Sequence, residues 1–307
     1  MKTILILGAG GFIGKNLCHH LAKNHHVIAY DLNMVPELMD QENIQLIQGN
    51  FVLEDNFTAL VDNVDIIYHL ISTTIPAEDT SHIVREIEQN VIPTVRLLEA
   101  VKESNVQNII FASSGGTVYG EKGTHCNEIE DRLKPICSYG VQKKTIESYF
   151  ELYGHIYNIP YRIARISNPY GLGQDPSKPQ GIIPIFINRI LSGQPIKVFG
   201  KGENKRDYIF VQDLLEALEQ LGDYDGEQHI FNIGHGDSHS IKEIIQLIEQ
   251  ESGKSFVNIE YVDERKCDVS NSILDIERTK EELNWSAEKS LEDGIQFILD
   301  YYKQVCK

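Results

Sequence analysis

Short apolar runs recur at intervals through the first part of the chain: TILIL (3–7), HVIAYD (26–31), IQLIQG (44–49), DIIYHL (65–70) and NIIFAS (108–113). Helix-patterned segments such as FIGKNLCHHLAKN and IVREIEQNVIPTVRLLEAVKES lie between them, with Gly, Pro and Asn at the joints. Runs this apolar need cover on both faces, and connections that hold a helix let successive strands run parallel. The pattern predicts an α/β fold, a Rossmann-type doubly wound parallel sheet, extended by a helix after Tyr139 and the strand YRIARIS (161–167). After Pro169 the rhythm changes to loops rich in Gly and Pro, then helices around 211–221 and 240–252 and a closing amphipathic helix, LEDGIQFILDYYKQ. Two domains are expected: 1–168, with some return segments from the C-terminal half, and a smaller α/β lobe over 169–307.

Composition narrows the classes of function. With 41% hydrophobic and 24% charged residues in 307, the chain has the balance of a globular protein with a sizeable core. No apolar run reaches the length of a membrane span, and the run at the N-terminus passes into glycines with no cleavage-site pattern, so a cytoplasmic protein is expected. A formal net charge of -17 without a basic stripe excludes nucleic acid and anionic membranes as partners. Cys18, Cys126, Cys137, Cys267 and Cys306 are scattered, without CxxC or metal-type spacing to His, and read as reduced thiols with no metal site.

Gly8, Gly11 and Gly14 form G-x-x-G-x-x-G between the TILIL strand and a helix. Glycines there let backbone N–H groups approach a pyrophosphate at a helix N-terminus, where the helix dipole favours an anion. Asp31 ends the second strand, where a carboxylate accepts from an adenosine ribose and repels a 2'-phosphate; this selects NAD over NADP. In SYGVQKK, Tyr139 and Lys143 are one helical turn apart on one face. Spacing alone leaves two readings, a proton-transfer device and a solvated helix surface.

FASSGGTVYG (111–120) and SYGVQK (138–143), together with the glycine loop, resemble the extended short-chain dehydrogenase/reductases. Within them the chain is similar to nucleotide-sugar epimerases of the UDP-glucose and UDP-N-acetylglucosamine 4-epimerase type. The resemblance continues in order through ISNPYGLGQ (166–174), GKGENKRDYIFVQDLLEA (200–217), NIGHGDSHSIKEI, RKCDV (265–269) and LNW (283–285). It implies Tyr139, Lys143 and Ser114 as catalytic residues, with Ser113 in reserve for the hydroxyl. It implies cofactor contacts from Gly8, Gly11, Phe12, Ile13, Gly14, Asp31, Asn50, Phe51 and Leu70, besides Tyr139 and Lys143, and substrate contacts from Ser114, Asn168, Arg206, Arg265, Asp268 and Ser272. The alternative for each arginine is a surface ion pair with an acid such as Asp207 or Glu264. Two stretches depart from the family: Gly49-Asn50 stands where it has Gly-Asp, and HLIS (69–72) where it has His-Leu-Ala-Ala.

The implied function is NAD-dependent 4-epimerisation of a UDP-hexose through a transient 4-keto sugar, in a homodimer. A free phenol is a poor base at neutral pH, so Lys143 and a positive nicotinamide are expected to lower the pKa of Tyr139. Dehydratases of this family carry Asp-Glu where Gly115 and Gly116 stand here. A 4-keto-sugar reductase on the same fold and a non-catalytic NAD-sensing protein are the alternatives. Four residues after Asp268, a tyrosine restricts the pocket in the resembling enzymes to UDP-glucose and UDP-galactose. Ser272 leaves that space open, so UDP-GlcNAc and UDP-GalNAc are expected substrates as well.

Overall fold

The computed structural model describes the chain except for residues 40, 77–81, 123–124, 266 and 306–307, so Cys306 lies outside the described residues. The first half runs β1 (Thr3–Leu7), α1 (Phe12–Leu21), β2 (His26–Asp31), β3 (Ile44–Gln48), α2 (Phe57–Val61), β4 (Ile66–His69), α3 (Ile83–Glu86), α4 (Ile92–Val101), β5 (Asn108–Ser114), β6 (His125–Cys126) and α5 (Ser138–Tyr157). There follow β7 (Tyr161–Ile166), β8 (Asn168–Tyr170), α6 (Ile182–Leu191), β9 (Ile196–Phe199), β10 (Lys205–Arg206), β11 (Tyr208–Phe210), α7 (Val211–Asp223) and β12 (Ile230–Ile233). The chain ends through β13 (His239–Ser240), α8 (Ile241–Ser252), β14 (Ile259–Val262), β15 (Asn271–Leu274), α9 (Glu277–Leu283) and α10 (Leu291–Val305).

The main sheet has seven strands in the order β12-β7-β5-β4-β1-β2-β3. β1 is parallel to β2 and β4, β2 to β3, and β4 to β5, as the continuous apolar runs require. The order reverses direction at β1, so this is the doubly wound sheet expected, and such sheets bind ligands beyond the carboxyl ends of their strands near the reversal. One face is sealed by Leu97, Leu98 and Val101 of α4 and Ile146, Phe150 and Tyr153 of α5, packed on Leu5, Ile67, Ile109 and Phe111. α7 is tied to the sheet where the Tyr68 hydroxyl donates to the Leu218 carbonyl at 2.8 Å.

Two compact units divide the chain. The first comprises 1–114, 137–165 and 215–231; the second comprises 115–136, 166–214 and 232–307. The second unit is built from shorter strands, including a four-stranded sheet in the order β13-β10-β15-β6. Its core gathers Tyr170, Phe186, Ile187, Val198, Ile244, Ile248, Ile295 and Leu299. α8 starts at a capping box made by Ser240 and Glu243 and stops at Gly253 in the left-handed region. The parallel register of β10 and β15 sets Arg206 opposite Ser272.

Candidate active site

The turn between β1 and α1 is shaped for close approach of an anion. Gly11 caps α1 with no side-chain hydrogen bond, so the first amides of this ten-residue helix have no cap from a side chain. A Cβ on buried Gly14 would run into the Gly8 carbonyl, and Gly8 itself has φ +93°, which favours glycine. Phe12 and Ile13 open the helix, half-buried. The Asp31 carboxylate, at the carboxyl end of β2, accepts from the Gly10 amide at 2.9 Å and the Asn33 amide at 3.1 Å. Gly10 is a member of this loop that the three-glycine spacing passed over; a side chain there would press on the carboxylate. These features fit a dinucleotide: a backbone cradle that a Cβ would fill, beside a carboxylate able to receive ribose hydroxyls.

Three further cofactor candidates follow β3 and β4. Asn50 uses its side-chain oxygen to accept from the Val52 amide at 3.1 Å, leaving its NH2 free of any role in that turn. Phe51 is buried in the core, 5.2 Å from Phe57 and 5.0 Å from His69 between ring centres. The half-buried Leu70 donates its amide to the Leu7 carbonyl. Ile71, the bulky residue of HLIS, lies against Gly8.

β5 and α5 bring the three catalytic candidates together. α5 opens at Cys137, whose Sγ accepts from the Gly140 amide, and runs twenty residues to Asn158 in the left-handed conformation. Its pitch puts Tyr139 and Lys143 on one face. The Tyr139 and Ser114 side chains are hydrogen-bonded. Ser113, one residue earlier on β5, is instead buried and donates to Glu147. Ser114 is therefore the hydroxyl at Tyr139, as successive residues of a strand face opposite ways. The Lys143 ammonium donates to the Ala112 carbonyl at 2.7 Å and lies 5.6 Å from the Tyr139 ring centre.

The electrostatics differ from the expectation for the phenol. Burial pushes Tyr139 well above its ordinary range, the neighbouring Cys137 adds to this, and the Ser114 hydrogen bond only partly opposes it. Burial also brings Lys143 down to about 8. Desolvation disfavours both charged forms, so the chain alone holds Tyr139 as a neutral phenol; the spacing of Tyr and Lys carried no information about burial. His69 is neutral too, pushed down to about 3 first by burial and then by Lys143, while its Nε2 pairs with the Thr94 hydroxyl at 2.8 Å.

The second unit carries the substrate candidates. Asn168 on β8 donates its side-chain NH2 to the Asp207 carbonyl at 2.9 Å. Ser272 on β15 is buried; a Cβ on Gly116 would lie 3.8 Å from Asn168 Nδ2 and 4.0 Å from Ser272 Oγ. Gly116, Asn168 and Ser272 thus border one space. Arg206 is a loose partner of Asp268, at 3.8 Å, and Arg265 stacks on Phe199 with its guanidinium carbon 3.6 Å from the ring centre. The acids named as alternative partners are otherwise engaged: buried Asp207 accepts from the His235 and Gly236 amides, and Glu264 accepts from the Asn204 side chain at 3.4 Å.

Sequence reasoning named Ser113 only as the reserve hydroxyl and passed over its buried partners Glu147 and Arg165, although Glu147 continues the four-residue spacing of Tyr139 and Lys143. It also passed over Glu86, Asn90 and Gln142. The Gln142 amide donates to Glu86 at 2.5 Å and the Asn90 amide to Gln142 at 3.1 Å, beside a π-helical turn at Ile87–Val91. A one-residue irregularity in a helix leaves no periodic signal.

The family described as the NAD dependent epimerase/dehydratase family matches residues 4–234. A dTDP-4-dehydro-6-deoxyglucose reductase of Escherichia coli is 36% identical over 305 residues, covering 96% of each chain. A UDP-glucose 4-epimerase of Mycolicibacterium smegmatis is 30% identical over 311 residues, covering 99% of each. Among solved structures, the UDP-glucose 4-epimerase of Thermotoga maritima with UDP-glucose superposes with a TM-score of 0.92 at 29% identity, covering 99% of this chain and 100% of that one.

Proposed function

This chain belongs to the NAD-dependent epimerase/dehydratase family, and from that premise we propose that it is a UDP-sugar 4-epimerase that uses NAD. The observation that carries the reading is the grouping of Ser114, Tyr139 and Lys143 at the carboxyl end of β5. The same unit holds the glycine cradle and Asp31. Gly8, Gly11 and Gly14 would hold the pyrophosphate and Asp31 the adenosine ribose, with Phe12, Ile13, Asn50, Phe51 and Leu70 lining the remainder. When bound, NAD supplies the two-electron acceptor and donor for the sugar C4–H bond.

The chain's own residues handle the proton. With its own proton released, a loss favoured by the Lys143 ammonium and by the positive charge that NAD would bring, Tyr139 Oη takes the proton of the sugar 4-hydroxyl as C4 becomes a ketone and returns it as C4 is reduced on its other face. Ser114 Oγ hydrogen-bonds the same sugar oxygen and orients it. Lys143 is a cation anchored on the Ala112 carbonyl, and its charge favours the phenolate whenever Tyr139 has given up its proton. Arg206 and Arg265 bind the diphosphate of an anionic substrate in an acidic protein, and Asn168 and Asp268 hold the nucleotide sugar between them. Glycine at 115 and 116 provides no carboxyl to expel the 6-hydroxyl, which speaks against dehydration.

A 4-keto-sugar reductase is the second reading, favoured by the 36% identity to the Escherichia coli reductase. The two differ in whether the dinucleotide is recycled on the enzyme or consumed. Purified protein is incubated with UDP-glucose, UDP-galactose, UDP-GlcNAc and UDP-GalNAc without added cofactor and followed by NMR. C4 epimers of all four are expected, with Ser272→Tyr losing the acetamido pair selectively. Inert sugars in that assay, with a dTDP-4-keto-6-deoxy sugar consuming one reduced dinucleotide per turnover, would establish the reductase. Exposed Ile83, Val84, Ile87 and Ile92 around α3 and α4, with Val141, Leu152, Ile156 and Tyr157 on α5, support a homodimer formed through these helices. Among the described residues no helix is long and apolar enough to cross a membrane.

A further inference from the structure

Three consecutive residues of β5 are each gripped by a different turn of α5. Lys143 donates to the Ala112 carbonyl, Glu147 accepts from the Ser113 hydroxyl, and Tyr139 is hydrogen-bonded to Ser114. Glu147, only 1% exposed, has no part in the proton transfers above. Its carboxylate is met by Arg165 Nη2 at 2.8 Å and by Arg165 Nε at 3.3 Å to either oxygen, and Arg165 is itself 3% exposed. A buried carboxylate bound in this way by a guanidinium and a hydroxyl forms an ion pair fixed in place.

The charge environment of Lys143 makes that anion consequential. From its own helix it faces Tyr139, a neutral phenol, and Glu147 one turn on. From β4 it faces His69, which is neutral, and from β5 the uncharged Ala112 carbonyl and the Phe111 ring, 4.7 Å away. Glu147 in turn faces Arg165 from β7, Ser113 from β5, and Glu151 on the next turn of α5, whose carboxyl is raised by burial and by Glu147. Burial drives Lys143 toward its neutral form, and Glu147 opposes it.

We propose that Glu147 is a positioning residue for the catalytic pair: clamped by Arg165, it fixes through Ser113 the strand end that carries Ser114, and its negative charge keeps Lys143 an ammonium. The proposal rests on the reading of Tyr139 and Lys143 as that pair. It is tested by NMR titration of protein labelled with 13C at lysine, the Lys143 signal being assigned by its loss in Lys143→Met. The Lys143 midpoint is expected at about 8 in the parent protein, where burial brings it, and about one pH unit lower in Glu147→Gln. The alkaline limb of kcat should fall with it. Glu147→Asp, which keeps the charge, should restore both, and Ser113→Ala should lower kcat without moving the midpoint. Should Glu147→Gln not fold, Glu147→Gln/Arg165→Met removes both charges together and carries the same expectation with a smaller shift. A midpoint unmoved in whichever variant folds overturns the proposal, even where kcat drops at every pH. Full turnover by Tyr139→Phe would instead overturn the catalytic reading and leave the titration interpretable.

Discussion

In the first unit the side chains assigned to chemistry and to the cofactor are already paired within the protein: Lys143 on the Ala112 carbonyl, Ser114 on Tyr139, Asp31 on the Gly10 amide. In the second unit the charged side chains assigned to recognition are held less tightly. Arg206 and Asp268 are 3.8 Å apart and half-buried, and Arg265 rests on the face of an aromatic ring. The contrast follows from what surrounds them. A sheet of long apolar strands buried on both faces fixes its strand ends, whereas strands of two to four residues joined by loops leave long side chains freer to turn. Proton transfer demands fixed distances; binding a flexible diphosphate tolerates adjustment.

If that division holds, substitutions in the two units should act on different kinetic parameters. The largest effect is expected for Tyr139→Phe: loss of one acid–base group lowers kcat by roughly 10³-fold with KM nearly unchanged, measured by coupled epimerase assay, while thermal unfolding stays within a few degrees of the parent. A comparable rise in KM would break the contrast. Arg206→Met should do the reverse, raising KM by about 10–100-fold through loss of charge-assisted bonds to phosphate while leaving kcat within a few-fold. A collapse of kcat in that variant would show that recognition and chemistry are not separable here. The smallest effect is expected for Asp31→Asn. Removing the charge that repels a 2'-phosphate should shift the ratio of NAD to NADP affinity by about tenfold, read by titrating either dinucleotide into cofactor-free protein. An unchanged ratio would remove Asp31 from cofactor selection.

Much of this architecture was written in local pattern. The five apolar runs became β1 to β5, within a residue at each end: strands buried on both faces are apolar throughout, while β3 at the sheet edge keeps Gln45 and Gln48 exposed. The glycine loop was equally legible, since a close turn from strand to helix excludes side chains wherever it occurs. The pairing of Tyr139 with Lys143 on one face needed only the helical period. What needed the folded chain was every property set by distant residues. Ser113 and Ser114 are equivalent in composition, and only the placement of α5 against β5 turns one to Glu147 and the other to Tyr139. The partner of Glu147 is Arg165 on β7, decided by how α5 packs on the sheet, and the neighbour of Arg206 is Ser272, decided by the register of β10 on β15. Segment 115–136, between β5 and α5, belongs to the second unit, where β6 joins the sheet beside β15. The ionisation of Tyr139 and Lys143 turned on burial, and burial depends on how the whole chain packs, which a spacing of four residues cannot encode.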